Sequence, residues 1–191
     1  MIVLASASAA RIRLLRDAGV TFQHRDHKAD EKVFPSSARP SEVVLHIATN
    51  KALSMDDVSD EDVVIGSDQV LEFDGQILPK AKSVEQLRMQ LLALRGNSHF
   101  LHSAAVCVQE RTVIYSVVSS ARLKMRSFSG FFLEDYLAKH GVEVLDCVGG
   151  YKIEAEGVQL FDEICGDTFT IQGMPLIPVL NFLRSRGHLA T

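Results

Sequence analysis

The chain has 191 residues, 47% of them hydrophobic and 23% charged, with 20 Lys+Arg against 24 Asp+Glu. A chain of this size buries roughly 70% of its unfolded surface, and its aliphatic content excludes a disordered or low-complexity polymer. The formal charge of −4 argues against a nucleic-acid polymer as partner, because backbone phosphate affinity needs surplus Lys and Arg.

The first apolar run, Ile2 to Ala5, has the character of a short buried strand. It passes through Ser6-Ala7-Ser8 into a helix with Ile12, Leu14, Leu15 and Ala18 on one face, closed by Gly19. Residues 20–24 read as a second strand and 25–39 as a polar surface loop. Pro40 opens a helix to about Met55, with Val43, Val44, Ile47, Ala48 and Ala52 on its apolar side. Residues 63–66 form another buried strand, ending in Ser67-Asp68-Gln69. Asp74-Gly75 lies between two apolar segments and predicts a two-residue hairpin. Ser83-x-x-Gln86 is a capping box for a helix carrying Leu87, Leu91 and Leu94, stopped by Gly96. Residues 100–108 and 112–125 read as long strands, followed by a helix over 130–140, a strand over 142–148 and a last helix from Pro175. Helices and strands in this order, with hairpins but no repeat or linker, predict an α/β fold with a mixed sheet. Residues 1–191 are read as a single domain of one or two lobes.

No apolar run approaches the roughly 20 residues needed to span a bilayer. The first segment carries its charges after its apolar residues, the reverse of a signal peptide. Cys107, Cys147 and Cys165 include no Cys-x-x-Cys pair and suit a reduced compartment. A cytoplasmic protein without a membrane partner is expected.

Chemistry concentrates at a few positions. The turn Ser6-Ala7-Ser8-Ala9-Ala10-Arg11 joins a strand to a helix N-terminus, where free N–H groups and the helix dipole favour anions. Two hydroxyls and Arg11 would complete a phosphate cradle; the alternative is Ser8 as a plain N-cap with Arg11 in solvent. Asp68 stands just past a strand end, where ligands of open α/β sheets bind, and suits either metal or water. Its alternative is a turn aspartate. Lys51 lies near the buried stripe of its helix, Lys80 follows the hairpin, and Glu31 sits in the polar loop. His99 and His102 fall on opposite faces of one strand, and no Walker or Gly-x-Gly-x-x-Gly loop occurs.

Together these segments resemble the Maf family of nucleoside triphosphate pyrophosphatases across nearly the whole chain. The resemblance rests on Leu4-Ala5-Ser6-Ala7-Ser8 to Arg11, Asp30-Glu31, Lys51-Ala52, Ile65-Gly66-Ser67-Asp68, Pro79-Lys80-Ala81 and Gly173-Met174-Pro175-Leu176. It implies a mixed twisted sheet flanked by helices with a deep cleft, a homodimer, and hydrolysis of a nucleoside triphosphate to monophosphate and pyrophosphate with Mg²⁺ or Mn²⁺. By resemblance, Asp68 and Glu31 hold the metal, and Asp68 positions the attacking water. Arg11, Lys51 and Lys80 neutralise phosphate charge, Ser6 and Ser8 bind phosphates, and Gln69 and Glu154 read the base. One branch of the family prefers dTTP and UTP. Ile65-Gly66-Ser67-Asp68-Gln69 and Gly149-Gly150-Tyr151-Lys152-Ile153-Glu154 are similar to the other, which acts on 7-methyl-GTP. A glutamate suits the N1–H and N2–H donors of guanine and a cationic methylated ring. Ala10 departs from the family pattern by removing a large side chain from the base pocket, and Pro79 and Ala81 replace the residues usual beside the lysine. Broad or pyrimidine preference, and a non-catalytic nucleotide-binding regulator of cell division, are the alternatives.

Overall fold

The computed structural model describes residues 1–30 and 38–190. Its strands are β1 (Ile2–Ala5), β2 (Gln23–Arg25), β3 (Val63–Phe73), β4 (Gln76–Leu78), β5 (Ser98–Gln109), β6 (Thr112–Met125) and β7 (Phe161–Cys165). Its helices are α1 (Ala9–Asp17), α2 (Pro40–Leu53), α3 (Val84–Leu94), α4 (Gly130–His140), α5 (Thr168–Gln172) and α6 (Leu176–Ser185). The strands form a mixed sheet in the order β2-β1-β3-β5-β6-β7, with β4 paired to β3. The α/β architecture expected from the sequence is therefore present. None of the described helices is long and apolar enough to cross a membrane.

Two compact units divide the residues: 1–69, 102–119 and 167–191 form the first, 70–101 and 120–166 the second. In the first, β1 runs parallel to both β2 and β3, with Leu4 beside Ile65 and Ala5 beside Gly66. All four residues of β1 are buried, as a central parallel strand requires. Leu4, Ile65, Leu14, Leu15, Cys107, Met174, Val179 and Leu183 share one core. Strand β1, helix α1, the strands and the C-terminal helix thus meet in a single apolar cluster.

In the second unit the hairpin forms as expected. Leu71 faces Leu78 and Phe73 faces Gln76, and Asp74 and Gly75 take φ of 49° and 74°, the mirror-image turn that suits right-twisted strands. Ser83 caps α3 by accepting from Gln86 N at 3.2 Å. The reciprocal half of the box differs: Gln86 Oε1 accepts from Lys82 N at 2.8 Å.

Three expectations require correction. Strand β3 does not stop at Gly66 but continues to Phe73, because Ser67, Asp68 and Gln69 find partners for their polar atoms without leaving the ladder. Residues 142–148 are not a strand. Val144 N donates to His140 O and Cys147 N to Val144 O, so the chain closes local turns despite its valines. Residues 20–24 yield only β2 at Gln23–Arg25. The sequence reading also lacked β7, an antiparallel partner of β6, and the five-residue α5.

The second unit buries His99 completely. Its Nε2 lies 2.6 Å from Tyr151 Oη, whereas Nδ1 is buried with no hydrogen-bond partner. Burial pushes the ring's pKa down to about 4, so the folded protein resists a proton that the unfolded chain accepts near pH 6.5. That stability is complete above about pH 6.5 and is lost as pH falls towards 4, in total about 3 kcal/mol. Urea midpoints taken from pH 7 to 4.5 are expected to fall steeply, and more shallowly in His99→Gln. Equal slopes in both proteins would remove His99 as the cause.

Candidate active site

Most of the chemistry-bearing residues of the first unit converge on Asp68. Register does the first part: with Ala5 beside Gly66, the exit of β1 comes level with Ser67 and Asp68. Helix α2 does the second part, because it lies almost in van der Waals overlap with β3. A Cβ placed on Gly66 would be 2.1 Å from Ala48 O and 2.7 Å from Ala52 N. The absent side chain lets the helix backbone touch the strand, which brings Lys51, between those two residues, down onto the sheet.

Lys51 Nζ donates to Asp68 Oδ1 at 2.8 Å, and its side chain is 4% exposed. It does not reach out to water as most lysines near an apolar stripe do. Arg11, in the first turn of α1, brings Nη2 to 3.5 Å from the same carboxylate oxygen. Its Nε donates to Gly173 O at 2.9 Å, and its Nη1 donates to Ser6 Oγ at 3.5 Å. Asp68 is thus a buried carboxylate in the body of β3, not a turn residue, and two buried cations face it. Two positive side chains stand beside a helix N-terminus, an arrangement that attracts an anion.

Ser8 is the N-cap residue of α1 but makes no side-chain capping bond. Ser6 Oγ instead accepts from Ser8 N at 3.2 Å, and Ala10 is half-buried in the first turn. Gln69, the next residue of β3, directs its Nε2 to Ser103 Oγ at 3.1 Å and to Thr170 O and Ile171 O, both at 2.9 Å. Ser67 Oγ is 2.7 Å from Ala104 O and 3.3 Å from Gly173 O.

Lys80 and Glu154 belong to the second unit, and both are exposed. Each acts electrostatically on the half-buried Cys147 thiol. Desolvation raises its pKa, Lys152 and Lys80 lower it, and Glu154 and Asp146 raise it. Glu154 follows a tightly folded segment. A Cβ on Gly150, at φ +71°, would lie 2.0 Å from Leu87 Cδ1, and Tyr136 Oη donates to Gly150 O at 3.0 Å. Glu31 lies outside the described residues.

Among the described residues, no three His, Cys, Asp or Glu side chains gather as a ready-made metal cage. Asp68 supplies a carboxylate beside Arg11 and Lys51. That donor set fits a hard divalent cation of the kind that takes one or two carboxylates and completes its shell with phosphate oxygens and water.

The sequence reading missed Gly173, Ser103 and Ser67. Gly173 has φ +118°, a conformation favouring glycine, and contributes a backbone carbonyl. Its place in Gly-Met-Pro-Leu just before the last helix was the available signal.

Comparison with known proteins places these residues in context. The family described as Maf-like protein matches residues 1–186. A nucleoside triphosphate pyrophosphatase of Caulobacter vibrioides is 40% identical over 98% of this chain and 96% of its own. A 7-methyl-GTP pyrophosphatase of Bartonella henselae is 39% identical over 96% of this chain and 94% of its own. One from Rhizobium meliloti with the same name is 38% identical over 99% and 98%.

Proposed function

The chain belongs to the Maf family, and we propose that it hydrolyses a nucleoside triphosphate to the monophosphate and pyrophosphate, with 7-methyl-GTP as its preferred substrate. The observation that carries the reaction is Asp68, a buried carboxylate held against Lys51 and Arg11 at the mouth of α1. Relatives of similar length named for this reaction support it.

In this reading the triphosphate lies against Ser6, Ser8 and the α1 N-terminus, where Arg11, Lys51 and the helix dipole supply positive charge. Asp68 orients a water and takes its proton as the oxygen attacks the α-phosphorus. The bond from that phosphorus to the bridging oxygen breaks, and pyrophosphate departs with the bonding pair. Arg11 and Lys51 meet the charge that spreads onto the phosphate oxygens, the largest contribution available to such a site. Lys80 is assigned the same task. Asp68 and Glu31 would hold Mg²⁺ or Mn²⁺, which when bound supplies further charge neutralisation on phosphate.

Base choice is assigned to Glu154. Its carboxylate accepts from the two donors on the guanine edge and favours the positive charge of a methylated ring. Ala10 opens space beside the base. Gln69 is the other specificity position, and because its amide nitrogen is engaged inside the first unit, its influence on the nucleotide is indirect.

The test is pyrophosphate and monophosphate release from a panel of canonical and methylated triphosphates with Mg²⁺ or Mn²⁺, and with chelator. The highest kcat/KM is expected for 7-methyl-GTP. A maximum with dTTP or UTP would retain the reaction and overturn the base assignment. Binding without release would point to a nucleotide-sensing regulator instead. Glu154→Gln is expected to cost about 10–100-fold in kcat/KM for 7-methyl-GTP relative to UTP, the worth of a charged hydrogen bond. An unchanged ranking would remove Glu154 from the reader's role.

A further inference from the structure

Helix α5 has five residues, Thr168–Gln172, far too few to hold together by itself. Its N-terminus is fastened by Asp167, whose Oδ2 accepts from Thr170 N and from Thr170 Oγ1, both at 2.8 Å. The carbonyls of a last helical turn have no partners within the helix. Here Gly173 N and Met174 N close on Phe169 O, Gly173 N also reaches Thr170 O, and side chains of the sheet bind Thr170 O and Ile171 O. Ser103 Oγ donates to Thr170 O at 2.7 Å, and Gln69 Nε2 donates to Thr170 O and Ile171 O at 2.9 Å each. Ser103 is fully buried, and its hydroxyl also accepts from Gln69.

Two residues beyond Ile171 stands Gly173, whose carbonyl receives Arg11 Nε at 2.9 Å. A guanidinium is a rigid planar fork, so fixing Nε fixes the directions of both terminal nitrogens. With Nε on Gly173 O and Nη1 towards Ser6 Oγ, Nη2 is turned to Asp68 Oδ1. We infer that Ser103 and Gln69 are positioning residues: they anchor α5 to the sheet so that Gly173 O aims Arg11 at the carboxylate.

On this view Ser103 influences every nucleotide alike, because the phosphates are common to all. Ser103→Ala is expected to lower kcat/KM about tenfold across the nucleotide panel without altering its ranking, the effect of losing one net hydrogen bond. Ser103→Thr, which keeps the hydroxyl, is expected to restore it. In an Arg11→Lys background no Nε–H exists, so Ser103→Ala should cause no further loss. Equal fold losses in both backgrounds would show that Ser103 acts by some other route and would overturn the inference. A changed nucleotide ranking would overturn it as well.

The kinetic arm rests on the proposed reaction, so a second arm is independent of turnover. With ¹⁵N-arginine labelling, the Arg11 Nε–H signal, assigned by its loss in Arg11→Lys, is expected to exchange slowly with solvent. It should exchange at least tenfold faster in Ser103→Ala, and slowly again in Ser103→Thr. Unchanged exchange would overturn the inference whatever the kinetics show. Failure of the wild-type protein to release pyrophosphate would instead count against the proposed reaction, leaving the exchange data to decide the role of Ser103. Should Ser103→Ala not fold, Ser103→Cys, whose thiol is a much weaker donor, is read in the same two ways.

Discussion

Replacing Asp68 with asparagine is expected to lower kcat by about 10²–10⁴-fold, the usual contribution of a positioned proton acceptor, while the protein stays folded. The amide matches the carboxylate in size and can still offer one oxygen to Lys51 Nζ, now at 2.8 Å. It cannot take a proton from water, and it removes the negative charge that faces the buried Lys51 and Arg11. Buried pairs lose several kcal/mol when one partner is deleted, so a lowered unfolding midpoint should accompany the loss of turnover. Circular dichroism separates the two effects. A folded Asp68→Asn protein with wild-type kcat would sink the assignment of Asp68 as the group that activates water.

The second large effect comes from a residue that touches no substrate. Gly66→Ala inserts a methyl where Ala48 O, Ala52 N and Ala52 Cβ stand 2.1, 2.7 and 2.9 Å away. The first two are helix backbone and cannot rotate aside, so α2 must retreat from β3. Overpacking of this kind costs typically 1–3 kcal/mol, and a chain of this size loses about 2–4 °C of Tm for each kcal/mol. The expected result is a fall of about 5–10 °C. Retreat of α2 also withdraws Lys51 from Asp68, two residues along β3 from Gly66, so kcat should drop about tenfold at temperatures where the variant is folded. Gly130→Ala is the control, because a Cβ there meets nothing within 4 Å. Unaltered kcat in folded Gly66→Ala would separate the close packing from the placement of Lys51.

What could be read in advance depended on how much each residue reveals through its own side chain. The grouping of Arg11, Lys51 and Asp68 was legible through the family resemblance, since each charge taken singly has an ordinary surface or turn explanation. Gly66 carries no side chain to signal its neighbour, and the structure identifies that neighbour as α2. Gly173 stood in a recognisable segment, but its role and that of Ser103 were not legible, since one acts through a carbonyl every residue has and the other through a common hydroxyl. The end of β3 was misplaced because Ser67-Asp68-Gln69 has turn composition. Those polar atoms are satisfied by α1, α2, α5 and β5, distant in sequence. Strand β7 carries Asp162 and Glu163, both exposed, and lacks the alternation of a half-buried strand. Residues 142–148 have β-branched composition, yet Val142 is 78% exposed while Val144 is 2% exposed, a pattern set by packing.

Arg11 and the carbonyl that aims it are separated by 162 positions. During synthesis at about 5–20 residues per second, Arg11 therefore waits on the order of 10–30 s before Gly173 exists. Every residue of the second unit precedes Asp167, where the last piece of the first begins. That piece also brings Met174, Leu176, Val179 and Leu183 to the shared core. Until then β1 and α1 expose the apolar surface those residues will cover, a sticky intermediate of the kind that chaperones shield. A nascent chain stopped short of Gly173 would hold Asp68, Lys51 and Arg11 with neither the aim nor the enclosure of the finished protein. The order of translation itself thus withholds competence from the incomplete polypeptide.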